Sequence, residues 1–162
     1  MIRPVNSSDA QQITDIYNHY ILTTTVTFEV EPLTTDQMAD RIRAFSALGP
    51  YIVDEVDGKI LGYAYAHQWK ERAAYAHTWE TTVYVAPDAH HAHVGSRLME
   101  ELIARCRRQP EIWTLIACIT ETNHASCLFH EYLGFEKVSH FKGVGMKMGQ
   151  RLDVVDYQLT LK

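Results

Sequence analysis

The sequence predicts a single-domain α/β (α+β) protein with a mixed central sheet flanked by helices. One observation is a hairpin signal: two apolar runs, residues 51–56 and 59–66, joined by Asp57-Gly58. Asp-Gly tolerates the positive φ angles of a tight turn, so these strands are expected to be antiparallel. The second observation is a strand–helix–strand order over residues 81–119. This order implies parallel strands joined by a right-handed crossover. A sheet that contains both kinds of pairing is mixed.

Two helices are predicted before the hairpin. A short strand at residues 2–5 leads to a capping pattern in which Ser8 is followed three residues later by Gln11. Apolar residues then recur at helical spacing and predict the first helix. Thr34 and Gln37 repeat the capping pattern, and a second apolar stripe follows them.

The remaining elements follow the hairpin. A strand at residues 81–85 precedes a helix over residues 94–108, whose last turn is rich in arginine. A nearly continuous apolar run at residues 112–119 predicts a strand that is covered on both faces. A short helix over residues 125–132 is next, and the tail at residues 136–161 reads as strands around a turn-rich segment.

Composition limits the classes of function. The 162 residues, 46% hydrophobic and 22% charged, suit one soluble domain spanning residues 1–162. The net charge of −5 argues against a nucleic-acid partner. No apolar run is long enough to span a bilayer, and the amino terminus shows no cleavage signature. Three cysteines form no C-x-x-C pair, so we expect a reduced, cytoplasmic protein.

The loop at residues 86–95, APDAHHAHVG, lies between a predicted strand and a predicted helix. Free amide groups at a helix start can bind a phosphate, but an ordinary strand-to-helix turn would have the same order. Zinc is a third interpretation, because His90, His91 and His93 are close together. Their spacing matches no usual zinc pattern, and neighbouring loop histidines rarely point at one centre, so a metal is not expected.

Five longer stretches resemble one enzyme family across almost the whole chain. The chain resembles the GNAT superfamily of acyl-coenzyme A N-acetyltransferases, and within it the phosphinothricin and methionine sulfoximine acetyltransferases. The stretches are residues 16–32, 65–75, 79–87, 123–135 and 149–159. The resemblance implies a GNAT fold, acetyl-CoA as cosubstrate, an amino acid-like second substrate, and a homodimer with substrate pockets near the subunit interface.

The resemblance also implies which residues hold the coenzyme. The family loop reads (Gln/Arg)-x-x-Gly-x-(Gly/Ala), whereas this chain has His90 at the first position and His93 at the first glycine. Main-chain amides make most of the contacts to the coenzyme in such loops, so coenzyme binding is compatible with these two side-chain differences. The expected coenzyme residues are Val83, Val85, His90, His91, Ala92, His93, Val94, Gly95, Ser96, Asn123 and Ser126. Asn123 is also a good helix cap in its own right.

Acetyl transfer to an amine requires removal of a proton, stabilisation of an oxyanion and departure of a thiolate. By resemblance, Glu80 is the general base, with His130 assisting, and Tyr132 lies near the sulfur. The main-chain N–H of Val85 is the candidate oxyanion donor. The family's substrate residues correspond here to Phe28, Lys70, Arg72 and Tyr75.

Other functions remain open on the sequence. The acceptor could be a peptide amino terminus or an amino antibiotic, and the altered loop also fits a non-catalytic acyl-CoA-binding module. A covalent acetyl-enzyme is not expected, because Cys118 lies in a predicted core strand and Cys127 on a predicted helix.

Overall fold

A computed structural model describes residues 1–162 as one sheet with helices packed against it. The strands are β1 (Ile2–Pro4), β2 (Tyr51–Val56), β3 (Lys59–Gln68), β4 (Thr78–Val85), β5 (Thr114–Thr120), β6 (Glu136–Lys147) and β7 (Gln150–Thr160). The helices are α1 (Ala10–Thr23), α2 (Thr35–Ser46), α3 (Val94–Arg108) and α4 (His124–Tyr132). None of these helices has the length and apolarity needed to cross a membrane.

The sheet is mixed, which confirms the predicted fold class. Its spatial order is β1-β2-β3-β4-β5-β7-β6, and every neighbouring pair is antiparallel except β4 and β5. The predicted hairpin is confirmed, with φ angles of 51° at Asp57 and 79° at Gly58. The parallel pair is the one joined through α3, as the strand–helix–strand order predicts.

Helices cover both faces of the sheet. On one face, α3 lies so close to β3 that a Cβ atom at Gly62 would come within 3.0 Å of Val94 and Leu98. On the other face, Phe45 of α2 stacks on Tyr65 of β3 with ring centroids 5.0 Å apart. The core is continuous from these helices into the centre of the sheet.

The two predicted helix starts have different outcomes. The second is confirmed: the Thr34 hydroxyl accepts from the Gln37 amide at 3.1 Å, and the Gln37 side chain accepts from the Thr34 amide at 2.9 Å. The first was placed on the wrong residues. The reciprocal cap is formed by Asn6 and Asp9, which bracket a 3-10 turn before α1. Asp9 is fixed there by Arg3, whose guanidinium donates to both carboxylate oxygens at 2.9 and 2.8 Å.

The tail forms one long hairpin at the edge of the sheet. Only Met148 and Gly149 make the turn, with φ angles of 52° and 72°. The rest of the segment expected to be turn-rich continues as β6, interrupted by a shift of register between Phe141 and Gly145.

Candidate active site

The site begins where two parallel strands separate. β4 and β5 pair only over Thr78–Glu80 and Thr114–Ile116. Beyond these residues β4 remains paired with β3, and β5 remains paired with β7. The strands therefore diverge, and a cavity of about 800 Å³ opens between them.

Main-chain groups of β4 face this gap. The Trp69 amide donates to the Thr78 carbonyl at 3.1 Å, which identifies these two residues as a hydrogen-bonded pair of the β3–β4 ladder. Since pairing alternates along an antiparallel ladder, even-numbered residues of β4 bond to β3 and odd-numbered residues face away. The N–H groups of Val83 and Val85 consequently point into the gap, as expected for residues that hold a thioester and its arm.

The cavity has two chemically different ends. Near the start of α3 and α4 it is lined by His90, His93, Gly95, Ser96, Asn123 and Ser126. At the opposite end it is lined by Phe28, Glu29, Arg41, Phe45, Tyr65 and His67. Glu80 and His130 also line the same cavity.

The start of α3 has the features of an anion cradle. His93 precedes the helix in the left-handed conformation, at φ 55°, and its side chain makes no capping bond. The amides of Val94, Gly95 and Ser96 therefore have no partner within the helix. A Cβ atom at Gly95 would lie no closer than 3.6 Å to any protein atom, so space remains in front of these amides. A pyrophosphate fits such a site. The Val94 side chain is buried, so this residue offers only its main-chain amide to the cavity.

The three loop histidines have different surroundings. The His90 Nε2 atom lies 2.8 Å from the Tyr20 hydroxyl, which also donates to the Val85 carbonyl. His93 lines the cavity, whereas His91 and Ala92 are exposed and do not line it. No three His, Cys, Asp or Glu side chains are grouped so that they could hold a metal ion.

The start of α4 carries two further predicted coenzyme residues. Asn123 caps the helix, accepting from the Ser126 amide at 3.3 Å, so its expected capping role is confirmed. Asn123 and Ser126 both line the cavity. Their contact with the coenzyme stays a prediction that this placement favours.

Glu80 is the last residue of β4 that pairs with β5, and it lines the cavity. Its side chain is 28% exposed, and its Oε2 atom lies 3.9 Å from the Nε2 atom of His67. Burial raises the pKa of Glu80 above the ordinary value, His67 lowers it, and the negative charge of Asp156 raises it further. A carboxylate with a raised pKa is a stronger base than an exposed one, which suits proton removal.

His130 faces the cavity from α4. The residue is only 4% exposed, and its Nδ1 atom lies 2.8 Å from the Ser126 carbonyl. A carbonyl only accepts, so Nδ1 carries the hydrogen and Nε2 has the free lone pair. Burial lowers the pKa of His130, which keeps the ring neutral and able to accept a proton near pH 7.

The structure does not bring Tyr132 to the cavity. Its side chain is 78% exposed and is not among the lining residues. Residues two positions apart on a helix point about 200° away from each other, so His130 and Tyr132 face in different directions. Of these two α4 residues, His130 is the one that lines the cavity.

The predicted substrate residues are divided. Phe28 lines the cavity, whereas Lys70, Arg72 and Tyr75 do not. The Lys70 ammonium instead lies over the ring of Trp69, 4.2 Å from its centroid. These three residues belong to the connection between β3 and β4 and cannot complete the pocket of their own chain in this arrangement.

Three residues at the end of the cavity opposite the start of α3 were not predicted from the sequence: Arg41, Tyr65 and His67. Arg41 lines the cavity and donates to both carboxylate oxygens of Glu29, at 2.8 and 2.6 Å. Its position four residues before Phe45, on the stripe that α2 buries, was the available signal. Tyr65 and His67 occupy alternate positions of β3, and the period of two placed them on one face.

Cys118 is not in the core, contrary to expectation. It lies on β5 and opens on the cavity beside Glu80. Surrounding protein raises the pKa of its thiol to about 12, with the negative charges of Asp156 and Glu80 adding to the effect. A thiol that stays protonated is a weak nucleophile, so the expectation of direct transfer is unaffected.

Comparison with known proteins agrees with this geometry. The chain matches the family described as "Acetyltransferase (GNAT) domain" over residues 2–155. It is 42% identical to a phosphinothricin N-acetyltransferase from Alcaligenes faecalis, over 99% of this chain and 82% of the relative. It is 34% identical to an L-methionine sulfoximine/L-methionine sulfone acetyltransferase from Salmonella typhimurium, over 99% of this chain and 94% of the relative.

A solved structure shows the same fold. A GNAT superfamily phosphinothricin acetyltransferase from Sinorhizobium meliloti, in complex with acetyl-CoA, has a TM-score of 0.95 and 31% identity. The match covers 99% of this chain and 87% of that one. The splayed strands, the amide cradle at α3 and this similarity lead to one assignment. The chain belongs to the GNAT family of acetyltransferases, in the branch that includes the phosphinothricin and methionine sulfoximine acetyltransferases.

Proposed function

We propose that this enzyme transfers the acetyl group of acetyl-CoA to the α-amino group of a small amino acid or amino acid analogue of the phosphinothricin or methionine sulfoximine type. The observation that carries the proposal is the single cavity that joins the amide cradle at α3 to an aromatic-lined end beside Glu80. The activities named for the relatives support the choice of acceptor.

The residues divide the chemistry among them. The amide groups of α3 hold the pyrophosphate, while the N–H groups of Val83 and Val85 hold the arm and the oxyanion. Glu80 takes a proton from the incoming ammonium group, and neutral His130 assists at the buried end. Two protons leave the nitrogen in total: one ends on the departing sulfur and one is released to solvent.

We also propose that the active form is a homodimer. Arg41 is the only lysine or arginine that lines the cavity, and its charge is neutralised by Glu29. An anionic substrate therefore needs further cations, which Lys70 and Arg72 of the second subunit would supply. Strand β6 supports an interface, because it exposes a run of apolar side chains: Val138, Phe141, Val144 and Met146.

Glu80→Gln tests the base. We expect kcat on methionine sulfoximine or phosphinothricin to fall by about 100-fold or more, because the amide cannot accept the proton. In the wild type, kcat/KM should fall as the pH decreases through the raised pKa of Glu80, since the protonated carboxyl is inactive. The acid limb should lie above the value of about 4.3 for an ordinary glutamate.

The matched control is Glu100→Gln, an exposed carboxylate on α3 outside the cavity. A thiol-release assay with a panel of amino acids, peptides and aminoglycosides measures both variants. Turnover on peptides or antibiotics alone would contradict the proposed acceptor. Binding of acetyl-CoA with no turnover on any amine would indicate a non-catalytic module.

A further inference from the structure

His67 and Glu80 are direct partners across two strands. The register of β3 and β4 places them opposite each other, so their side chains share one face of the sheet. The Nε2 and Oε2 atoms are 3.9 Å apart, and the side chains are 25% and 28% exposed. Both line the cavity, at the end away from the amide cradle.

The tautomer of His67 sets the chemistry of this pair. Its Nδ1 atom lies 2.9 Å from the Gln68 carbonyl, which can only accept, so Nδ1 carries a hydrogen. In the neutral ring, Nε2 then presents a lone pair to Glu80. A carboxylate and a lone pair repel unless a proton or a water molecule lies between them, and at 3.9 Å one water can bridge the two atoms. The pair is therefore built to share one exchangeable proton.

We propose that His67 is the proton-relay partner of Glu80, and the proposal rests on the role of Glu80 as base given above. Glu80 accepts a proton from the ammonium group and becomes a carboxylic acid. The proton then passes to Nε2 of His67, which restores the carboxylate and creates an imidazolium. That imidazolium releases the proton to bulk water or buffer, which regenerates the neutral ring.

Solvent access distinguishes His67 from His130, the other histidine given a role in proton transfer. His130, at 4% exposure, can hold a proton but has little contact with bulk water. His67, 25% exposed beside a Glu80 that is 28% exposed, reaches solvent and can release the proton there while Glu80 stays a carboxylate. The released proton is the one that the balanced reaction must deliver to solvent for every acetyl group transferred.

The surroundings of His67 keep it in place while leaving Nε2 free. Phe45 of α2 stacks on the ring at 5.0 Å between centroids, and Tyr65 of β3 lies at 5.9 Å. The other ionisable groups that face the pair are Asp156 on β7 and Cys118 on β5, both on the side of Glu80. None of these groups hydrogen-bonds to Nε2, so the relay position stays available.

The experiment compares His67→Gln with a matched control. Glutamine keeps a hydrogen-bonding side chain but cannot carry the proton, so we expect kcat to fall about tenfold with KM for acetyl-CoA unchanged. His77→Gln is the control, because its Nδ1 also bonds a carbonyl, that of Glu111 at 2.7 Å, and its ring also stacks, on Trp113 at 3.7 Å. It lies outside the cavity and should leave kcat and its pH dependence unchanged.

Two further measurements separate a relay from a packing role. Added imidazole should partly restore kcat of His67→Ala, and His67→Gln should cause no further loss in a Glu80→Gln background. Equal activity and pH profile of His67→Gln and wild type, with Glu80→Gln impaired, would overturn the relay alone. Additive losses in the double variant would also overturn it. Full activity of Glu80→Gln would instead overturn the base assignment, and the relay with it.

Discussion

His93 holds a left-handed backbone conformation at the position where α3 begins. Its φ of 55° is one that side chains other than glycine adopt at a cost of about 1 kcal/mol. The family pattern has glycine at this position, and the structure shows why: the chain must turn sharply here to point the helix amides into the cavity. This chain keeps the turn with a histidine, whose side chain lines the cavity.

His93→Gly should raise the free energy of unfolding by up to about 1 kcal/mol, because it removes that cost. Denaturant unfolding measures the change. The control is His91→Gly, because His91 has no positive φ and glycine there only increases the freedom of the unfolded chain. The explanation fails if the two substitutions lower the free energy of unfolding to the same extent.

At the scale of elements, two glycines lie where α3 meets the sheet, Gly62 on β3 and Gly95 on α3, and their surroundings differ. At Gly62, a Cβ atom would lie 2.9 Å from the Tyr84 carbonyl, so the absence of a side chain allows close packing of the strands and helix. At Gly95, the nearest protein atoms would be 3.6 Å away on Val85 and 3.8 Å away on Phe129. The protein itself has room at Gly95, and we expect the coenzyme to occupy that space.

Gly95→Ala should therefore keep its stability and lose affinity. We expect KM for acetyl-CoA to rise about tenfold, equivalent to ~1.4 kcal/mol, with an unchanged or slightly higher Tm. Gly62→Ala should show the reverse: a lower Tm with KM unchanged in the protein that remains folded. Steady-state kinetics and thermal unfolding on both variants test the assignment, and a large drop in Tm for Gly95→Ala would contradict it.

Elements that local chemistry decides could be predicted from the sequence. The Asp57-Gly58 turn and the Thr34 cap depend on residues within a few positions, and both are found. The cap of the first helix was misplaced because it depends on Arg3, which fixes Asp9 through the tertiary structure. Local pattern alone could not distinguish that arrangement from the Ser8 alternative.

The site was predictable only in part, for a related reason. Resemblance identified Glu80 and the loop before α3, and the structure brings both to one cavity. The resemblance could not show how α4 is rotated about its axis, which turns His130 inward and Tyr132 outward. Nor could it show that β5 diverges from β4, which exposes Cys118 to the cavity rather than burying it.

At the scale of the whole molecule, the proposed dimer predicts complementation between two defective variants. Glu80→Gln lacks the base, and a Lys70→Ala/Arg72→Ala variant lacks the cations that its partner needs. In a mixed dimer, one of the two pockets is complete. Co-refolding equal amounts should restore about a quarter of the wild-type activity, because half of the dimers are mixed and half of their pockets work.

Light scattering on each variant serves as the control, since both must still form dimers. Mixtures that stay as inactive as their components, although mixed dimers are present, would place Lys70 and Arg72 in their own chain. A monomeric wild type with full activity would exclude the two-chain pocket altogether.

The end of β6 reaches back to the beginning of the chain. The Lys147 ammonium is buried and donates to the Thr27 carbonyl at 2.8 Å, and the Phe28 ring lies against Gly145. The wall around Phe28 can thus be seated only after the C-terminal hairpin has emerged from the ribosome. During synthesis, β4 and α3 are completed first, and the end of the cavity that Phe28 lines is closed last.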